Sequence, residues 1–289
     1  ASPTRAGSVI FAPNLHGPDD TLDPILGTST IDYVRANTMY NGLIQVWDNM
    51  SLHPELAEEW TVNSNATEYI FKIRKGVTFH SGGELTAKDV VWSMNRHIAA
   101  DSPSSIKSFF AAVVEWKAVD KYTVKLSLSS PDADLPAKLT QPQAKIVKAN
   151  THNWWEGGSG PYTLDSFQAG VRSIHSRNNN YWRDTGQWLD GIEVTAITDP
   201  DARLNALLAG SIDMATLMNA KHVKKMESAG ISVLSIPSGL YGGICCLKNT
   251  APGDNDDLVQ GFRYIQDRER IVRKFLKGQG TVGNDHPIN

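Results

Sequence analysis

The sequence has few cysteines, no long hydrophobic run and no strong excess of either charge. Its two cysteines, Cys245 and Cys246, are adjacent, and adjacent cysteines rarely pair because disulfide geometry strains the peptide between them. They lie in an apolar run, which predicts small buried side chains in a strand. No run of about 18 apolar residues is present, so the sequence predicts no membrane-spanning helix.

The charge balance argues against one broad class of partner. The 289 residues carry a formal net charge of −3, which leaves no basic footprint for nucleic acid. Hydrophobic and charged residues make up 40% and 20% of the chain, as in a folded globular protein. The first residue is Ala1 rather than Met, which removal of a signal peptide would explain, as would other trimming of the chain.

The most regular patterns lie in one stretch near the start of the chain. Residues 54–60 begin with proline followed by glutamates, which predicts a short helical turn. Residues 69–73 and 77–79 alternate apolar and polar side chains, which predicts two strands. Thr86 and Asp89 resemble a capping box at the start of a helix.

This stretch is similar to a known family. Its segments PELAEEW, YIFKIRKGVTFHSGG and LTAKDVVWSMNR match patterns of the family 5 extracellular solute-binding proteins of ABC importers, a family of dipeptide, oligopeptide and nickel receptors. The family usually has Asp after the histidine of the second segment, where this chain has Ser81. Further similar segments, among them TLDP, GSGPY and RNNNYW, extend the resemblance over nearly the whole chain.

Periodicity and turn signals predict further elements outside this stretch. Strands are expected over residues 8–11, 162–167, 171–176, 192–197, 231–236 and 241–247, and a hairpin over 115–128. Helices are expected over residues 32–40, 200–209 and 258–276. The glycine run at residues 157–160 is interpreted as a crossing between subdomains, because glycine permits close backbone approach.

The resemblance implies a mixed α/β (α+β) fold, a periplasmic-binding-protein-like lobe I with an extra subdomain. Lobe I would comprise residues 1–47 and 153–248, the subdomain 48–152, and the start of a largely missing lobe II 249–289. We expect a fragment, or a half completed by a second chain, although a truncated protein with another role remains an alternative. A half should expose apolar surface and behave as a sticky or dimeric species.

The function implied by the resemblance is that of a periplasmic substrate-binding receptor of a bacterial ABC importer. It would capture peptides or a similar small polar solute by hinged lobe closure and deliver them to a membrane permease. No catalytic residue, metal or cofactor is expected: no pair of the eight histidines has zinc-enzyme spacing, and the GxGxxG pattern at 278–283 follows a helix. A hydrolase or amidase on the same scaffold and a protein-interaction role stay open as alternatives.

The ligand-binding residues are expected in segments that the family places at its cleft. A receptor pocket needs close-approaching backbone and a few polar groups. Trp60, Trp92 and Trp182 lie within structural patterns and are assigned to packing. The predicted ligand contacts are Gly27, Thr28, Ser29, Thr30, Ser104, Ser105, Gln143, Tyr241 and Gly242.

Overall fold

A computed structural model describes residues 6–14, 20–184, 187–236 and 246–283 of the protein. Contacts divide the chain into two units, Ala1–Thr216 and Leu217–Asn289. The strands are β1 (Ser8–Ala12), β2 (Asn41–Gly42), β3 (Ile44–Val46), β4 (Leu52–Pro54), β5 (Ala57–Val62), β6 (Glu68–Ile73), β7 (Val113–Asp120), β8 (Thr123–Leu128), β9 (Lys145–Ile146), β10 (Tyr162–Gln168), β11 (Arg172–Arg177), β12 (Gly191–Thr195) and β13 (Met214–Ala215). The α-helices are α1 (Thr30–Met39), α2 (Ala87–Ile98), α3 (Leu135–Lys138), α4 (Pro200–Leu208), α5 (Val223–Ser228), α6 (Asp256–Ile265) and α7 (Arg268–Lys274). Within the described ranges, no helix has both the length and the apolar character needed to cross a membrane.

The first unit contains a five-stranded sheet in the order β10-β11-β12-β1-β13. β1 runs parallel to β12 and β13, whereas β11 is antiparallel to both of its neighbours. The strands predicted over residues 8–11, 162–167, 171–176 and 192–197 are confirmed. α1 packs against β10 and β12 and also confirms its prediction. The sheet and helix meet in a small apolar cluster that includes Met39.

A second sheet of the first unit has the order β5-β6-β8-β7, and all of its pairs are antiparallel. The alternation predicted for residues 69–73 is confirmed, since Tyr69, Phe71 and Ile73 are all buried in the core that α2 covers. The hairpin predicted over 115–128 is confirmed as β7 and β8. Trp60 and Trp182 pack against this core, as predicted, and Trp92 packs against the smaller cluster around Met39.

Two local predictions in this sheet are wrong. Residues 54–60 are not a helical turn, because residues from Ala57 onwards form β5 and pair with β6, with Trp60 opposite Phe71. The proline and glutamate signal is local, and the partner strand overrides it. Residues 77–79 form only an isolated bridge, between Thr78 and Glu84, although their apolar side chains are buried as the pattern indicated.

The glycine run connects the two sheets by close backbone contact. The Gly160 amide donates a hydrogen bond to the Met39 carbonyl at 2.9 Å, and the Gly158 carbonyl accepts one from the His80 amide at 2.8 Å. A Cβ on Gly160 would lie 2.6 Å from the amide nitrogen of Tyr40. Only glycine fits there without a shift of the backbone. The interpretation of this run as a crossing between subdomains stays a prediction. The assignment of residues to a lobe and a subdomain stays a prediction.

The described part of the second unit differs from its predictions in three places. Residues 231–236 form no strand, and no described segment pairs with them. The helix predicted over 258–276 is two helices, α6 and α7, because Gln266 is extended and the Asp267 side chain accepts a hydrogen bond from the Arg270 amide at 2.8 Å as the N-cap of α7. Cys246 is half-buried and lies outside any strand, contrary to its prediction, and Cys245 lies outside the described residues.

Candidate functional site

The loop before α1 carries four of the predicted ligand contacts. Asp32, in the first turn of α1, accepts hydrogen bonds from the amides of Thr28 and Ser29 at 3.1 and 3.0 Å and from the Ser29 hydroxyl at 2.8 Å. This capping box fixes the loop and supplies an acceptor for backbone amides that would otherwise be unpaired. Thr28 is exposed, while Ser29 and Thr30 are half-buried, so three hydroxyl-bearing side chains reach solvent from a rigid turn.

Gln143 joins this loop to a second segment. Its Nε2 donates to the Gly27 carbonyl at 3.0 Å, to the Tyr33 hydroxyl at 3.3 Å and to the Ser105 hydroxyl at 3.3 Å. Ser105 in turn donates to the same Gly27 carbonyl at 3.3 Å. Gln143 is 4% exposed, so its amide is a buried crosslink. Three predicted residues that are far apart in sequence, Gly27, Ser105 and Gln143, therefore form one cluster.

The other end of the Gln143 side chain is unusual. Its Oε1 is buried and has no hydrogen-bond partner within the described residues. Rotating the amide would place Oε1 against the Gly27 carbonyl oxygen, which cannot donate a hydrogen bond, so Nε2 belongs at that position. A buried amide oxygen without a donor costs about 1–3 kcal/mol. The cluster thus retains one unused acceptor beside the exposed hydroxyl of Ser105.

Ser104 takes part in a different contact from Ser105. Its hydroxyl lies 2.7 Å from Nδ1 of His97 and accepts from the Ile106 amide at 3.3 Å, and the residue is 8% exposed. Burial, together with the neighbouring charge of Arg96, lowers the pKa of His97 to about 4, so this histidine is neutral near pH 7. The buried Ser104–His97 contact therefore holds Ser104 and the adjacent Ser105 against α2.

Serine and histidine side chains meet in two further places, which bears on the hydrolase alternative. Ser173 lies 2.8 Å from His175, but both are buried, and Ser173 accepts a hydrogen bond from Arg35 at 2.9 Å. Ser51 lies 2.7 Å from His53 in a hairpin. Among the described residues no hydrogen bond joins a carboxylate to any of these histidines, and no cluster of metal-ligating side chains is found there. A catalytic triad needs that third group.

Sequence reasoning missed one member of the cluster. Tyr33 accepts a hydrogen bond from Gln143, yet in the sequence it is an aromatic residue within a predicted helix, where aromatic side chains usually pack in the core. Its half-buried side chain is the only signal that separates it from the buried residues of α1, and that signal requires the structure. Tyr241 and Gly242 lie outside the described residues.

Solved structures share the fold of this chain. The chain superposes with a TM-score of 0.84 on NikZ from Campylobacter jejuni in complex with Ni(L-His), at 21% identity over 97% of this chain and 57% of that one. It superposes with a TM-score of 0.79 on the periplasmic binding protein DppA from Helicobacter pylori in complex with peptide STSA, at 22% identity over 95% of this chain and 59% of that one. The fold is that of the substrate-binding proteins of ABC transporters.

The family follows from the sequence comparison. The family model for bacterial extracellular solute-binding proteins, family 5 Middle, matches residues 51–289, and the chain belongs to that family. It is 24% identical over 271 residues to the glutathione-binding protein GsiB of Escherichia coli (strain K12), covering 90% of this chain. The chain spans about half the length of the curated relatives it matches, 52% in the case of GsiB.

Proposed function

We propose that this chain is the ligand-capturing part of a periplasmic substrate-binding receptor of a bacterial ABC importer, for a peptide or a similar small polar solute. The observation that carries the proposal is the family match over residues 51–289. The relatives include a glutathione-binding protein and a structure in complex with a peptide, which supports a solute with peptide bonds. Its delivery partner would be a membrane permease, and a second chain supplying lobe II stays a prediction.

The loop 27–30 and Ser105 are the proposed contact surface within the first unit. Their exposed or half-buried hydroxyls can donate to and accept from amide groups of a solute, while Gln143 holds the two segments in register. Binding would then be accompanied by hinged closure, as in two-lobed receptors generally. Ser104, Tyr241 and Gly242 stay predicted contacts.

The proposal assigns no turnover to this site. The relatives are binding proteins, and the buried Ser173–His175 pair leaves no accessible nucleophile in that network. The solute would leave the protein chemically unchanged. A hydrolase on the same scaffold would instead return cleaved products.

Ligand binding can be tested by calorimetry and thermal unfolding of the 289-residue protein with glutathione, the peptide Ser-Thr-Ser-Ala and Ni(L-His) as probes. A bound ligand raises the unfolding midpoint by mass action. We expect at least one peptide-type probe to bind and to be recovered intact by mass spectrometry. Ser105→Ala should weaken that binding by about threefold to tenfold, the usual range for one hydrogen bond.

Ser129→Ala is the matched control, because Ser129 is also exposed and also donates to a backbone carbonyl, that of Ala112 at 3.1 Å. It should leave binding unchanged. Equal losses in the two serine variants would contradict the proposed surface. Failure of all probes to bind would contradict the receptor assignment for this chain, and cleavage of a probe would favour the hydrolase.

A further inference from the structure

A cavity of about 700 Å³ lies in the first unit, and none of the predicted ligand contacts lines it. The cavity is lined by residues from the end of α1, the β3–β4 hairpin and the segment that follows α3, and by Tyr181 and Arg183. The volume is within the range of about 300–1,000 Å³ that small-molecule sites occupy. The charges and hydrogen-bond donors on the cavity wall determine which kind of ligand would bind there.

One wall residue is a buried lysine without a partner. Lys145 is 8% exposed, and in the described part of the chain its ammonium group has neither a hydrogen-bond acceptor nor a carboxylate within ion-pair distance. The neighbouring lysines differ: Lys138 pairs with Asp132 at 2.6 Å, and Lys148 donates to Ser81 at 3.0 Å. The Lys145 ammonium is not among the buried atoms that lack a partner, so it reaches the cavity, where an anion could pair with it.

Two further donors share this wall. The Tyr181 hydroxyl accepts a hydrogen bond from Asn41 at 3.1 Å, which leaves its own hydrogen available to a ligand. Burial raises the pKa of the Tyr181 phenol, so it remains a donor near pH 7. Arg183 is half-buried, lies over the Trp182 ring at 4.6 Å and donates to the Gln45 side chain at 3.2 Å, with no carboxylate partner among the described residues.

The single acidic side chain on the wall does not neutralise these cations. Glu55 is 7% exposed, and its two oxygens accept hydrogen bonds from the Asn41 side chain at 2.8 Å and from the Gly42 amide at 2.7 Å. Neutral donors thus already satisfy this carboxylate. The wall presents two cationic side chains and one phenol donor against one carboxylate that is hydrogen-bonded elsewhere.

We propose that this cavity is a second ligand site, which binds a small carboxylate anion. Lys145 supplies the main charge, Arg183 the second charge, and the Tyr181 hydroxyl a directional hydrogen bond. A carboxylate suits this set because its two oxygens accept charge-assisted hydrogen bonds from an ammonium, a guanidinium and a hydroxyl group. The site is independent of the proposed receptor function and would bind its anion whether or not a solute occupies the surface around Ser105.

The test measures thermal unfolding of the 289-residue protein with acetate, succinate and citrate, each against sodium chloride at equal ionic strength. At least one carboxylate should raise the unfolding midpoint above that in chloride, and its dissociation constant follows from the concentration dependence. Lys145→Met should weaken that binding by about tenfold or more. Lys145→Arg keeps the charge and should retain most of the affinity.

Lys125→Met is the matched control. Lys125 lies in β8 of the four-stranded sheet and pairs with Glu68 at 2.5 Å, and its replacement changes the net charge by the same amount. It should bind the anion as the unmodified protein does. Without anion, the unfolding midpoint of Lys145→Met is compared with that of the unmodified protein, which separates an effect of the substitution on folding from its effect on anion binding. If it fails to fold, Tyr181→Phe decides, with an expected loss of about threefold or more.

The proposal is overturned by either of two results. The first is that no carboxylate stabilises the protein beyond chloride. The second is that Lys145→Met, or Tyr181→Phe in its place, binds the anion as tightly as the unmodified protein.

Discussion

Gly158 and Gly160 are two positions of the first unit where a side chain would collide with backbone. A Cβ at Gly160 would lie 2.4 Å from the carbonyl carbon of Met39 and 2.6 Å from the amide nitrogen of Tyr40. Both are backbone atoms, which cannot rotate away as the end of a side chain could. We expect Gly160→Ala to lower the free energy of unfolding by about 3 kcal/mol, the upper part of the range for overpacking in a rigid interior. Urea unfolding followed by circular dichroism measures the change.

The control for this prediction is Gly261→Ala. Gly261 lies in α6 with nothing within 4 Å of the position of a Cβ, so alanine should be neutral or stabilising there. If Gly160→Ala were tolerated as well as Gly261→Ala, the close approach to Met39 and Tyr40 would not exist in solution.

His97 and His175 make stability depend on pH. Burial, assisted by the positive charges of Arg96 and Arg35 respectively, lowers the pKa of each from 6.5 to about 4. The folded state keeps both rings neutral, so below about pH 6.5 the unfolded chain binds protons that the folded chain does not. The stability is complete above about pH 6.5 and is lost as the pH falls towards 4.

At about pH 5 each histidine should cost about 2 kcal/mol relative to about pH 7. Urea unfolding at the two pH values measures this, with His175→Gln as the variant that removes one group. In this variant, the part of the stability loss between the two pH values that is due to the two histidines should be about half as large as in the unmodified protein. An unchanged loss in His175→Gln would show that His175 is already accessible to protons in the folded protein.

At the scale of elements, two helices of the first unit start with the same device. Asp89, in the first turn of α2, accepts hydrogen bonds from the Thr86 amide at 2.8 Å and from its hydroxyl at 3.0 Å, as Asp32 does for the loop before α1. Asp89 also accepts from the Ala149 amide at 3.0 Å. Its side chain therefore connects the start of α2 to the chain that returns towards the glycine crossing.

Asp89→Ala should lower the free energy of unfolding by about 2 kcal/mol, because the cap and the link to Ala149 are lost together. Lys88→Ala changes the adjacent exposed residue in the same first turn and should have a much smaller effect. Chemical unfolding of both variants gives the comparison. Similar effects of the two substitutions would mean that the cap and the link contribute little.

Secondary-structure elements could be predicted where the local sequence pattern was consistent with the contacts that the element makes in the fold. The alternation in β6 and the capping box of α2 are visible in sequence because each depends on neighbours a few residues away. Residues 54–60 were misread because the pairing of β5 with β6 is not a local property. The break between α6 and α7 was missed because the apolar period continues past Asp267, whose capping role shows only in the structure.

The candidate site was predictable in part, and for a different reason. Gly27, Ser105 and Gln143 were chosen through the family resemblance, since no local pattern connects residues so far apart. Tyr33 could not be chosen, because an aromatic residue inside a predicted helix is usually a packing residue. The unpartnered ammonium of Lys145 was equally invisible, since a lysine between two apolar stretches gives no sign of burial.

At the scale of the whole molecule, the apolar core is confined to the first unit. Both hydrophobic clusters consist of residues between Leu22 and Trp182, and the larger one includes the buried side chains of the four-stranded sheet, such as Phe71 and Leu126. In the described part of the second unit, α6 and α7 contain no buried residue, and Met226 is the one buried hydrophobic side chain. The two units should therefore differ greatly in their independent stability.

A fragment of residues 1–216 should fold alone, because it contains every strand of both sheets and both apolar clusters. We expect its cooperative urea unfolding to lie within about 1 kcal/mol of that of the first unit in the full chain. A fragment of residues 217–289 should show no cooperative transition, since a segment this short buries too little apolar surface to offset its chain entropy. Circular dichroism and amide hydrogen exchange of both fragments make the comparison. A non-cooperative 1–216 fragment would show that the fold of the first unit depends on the second. A cooperatively folding 217–289 fragment would show that the second unit has a stable core of its own.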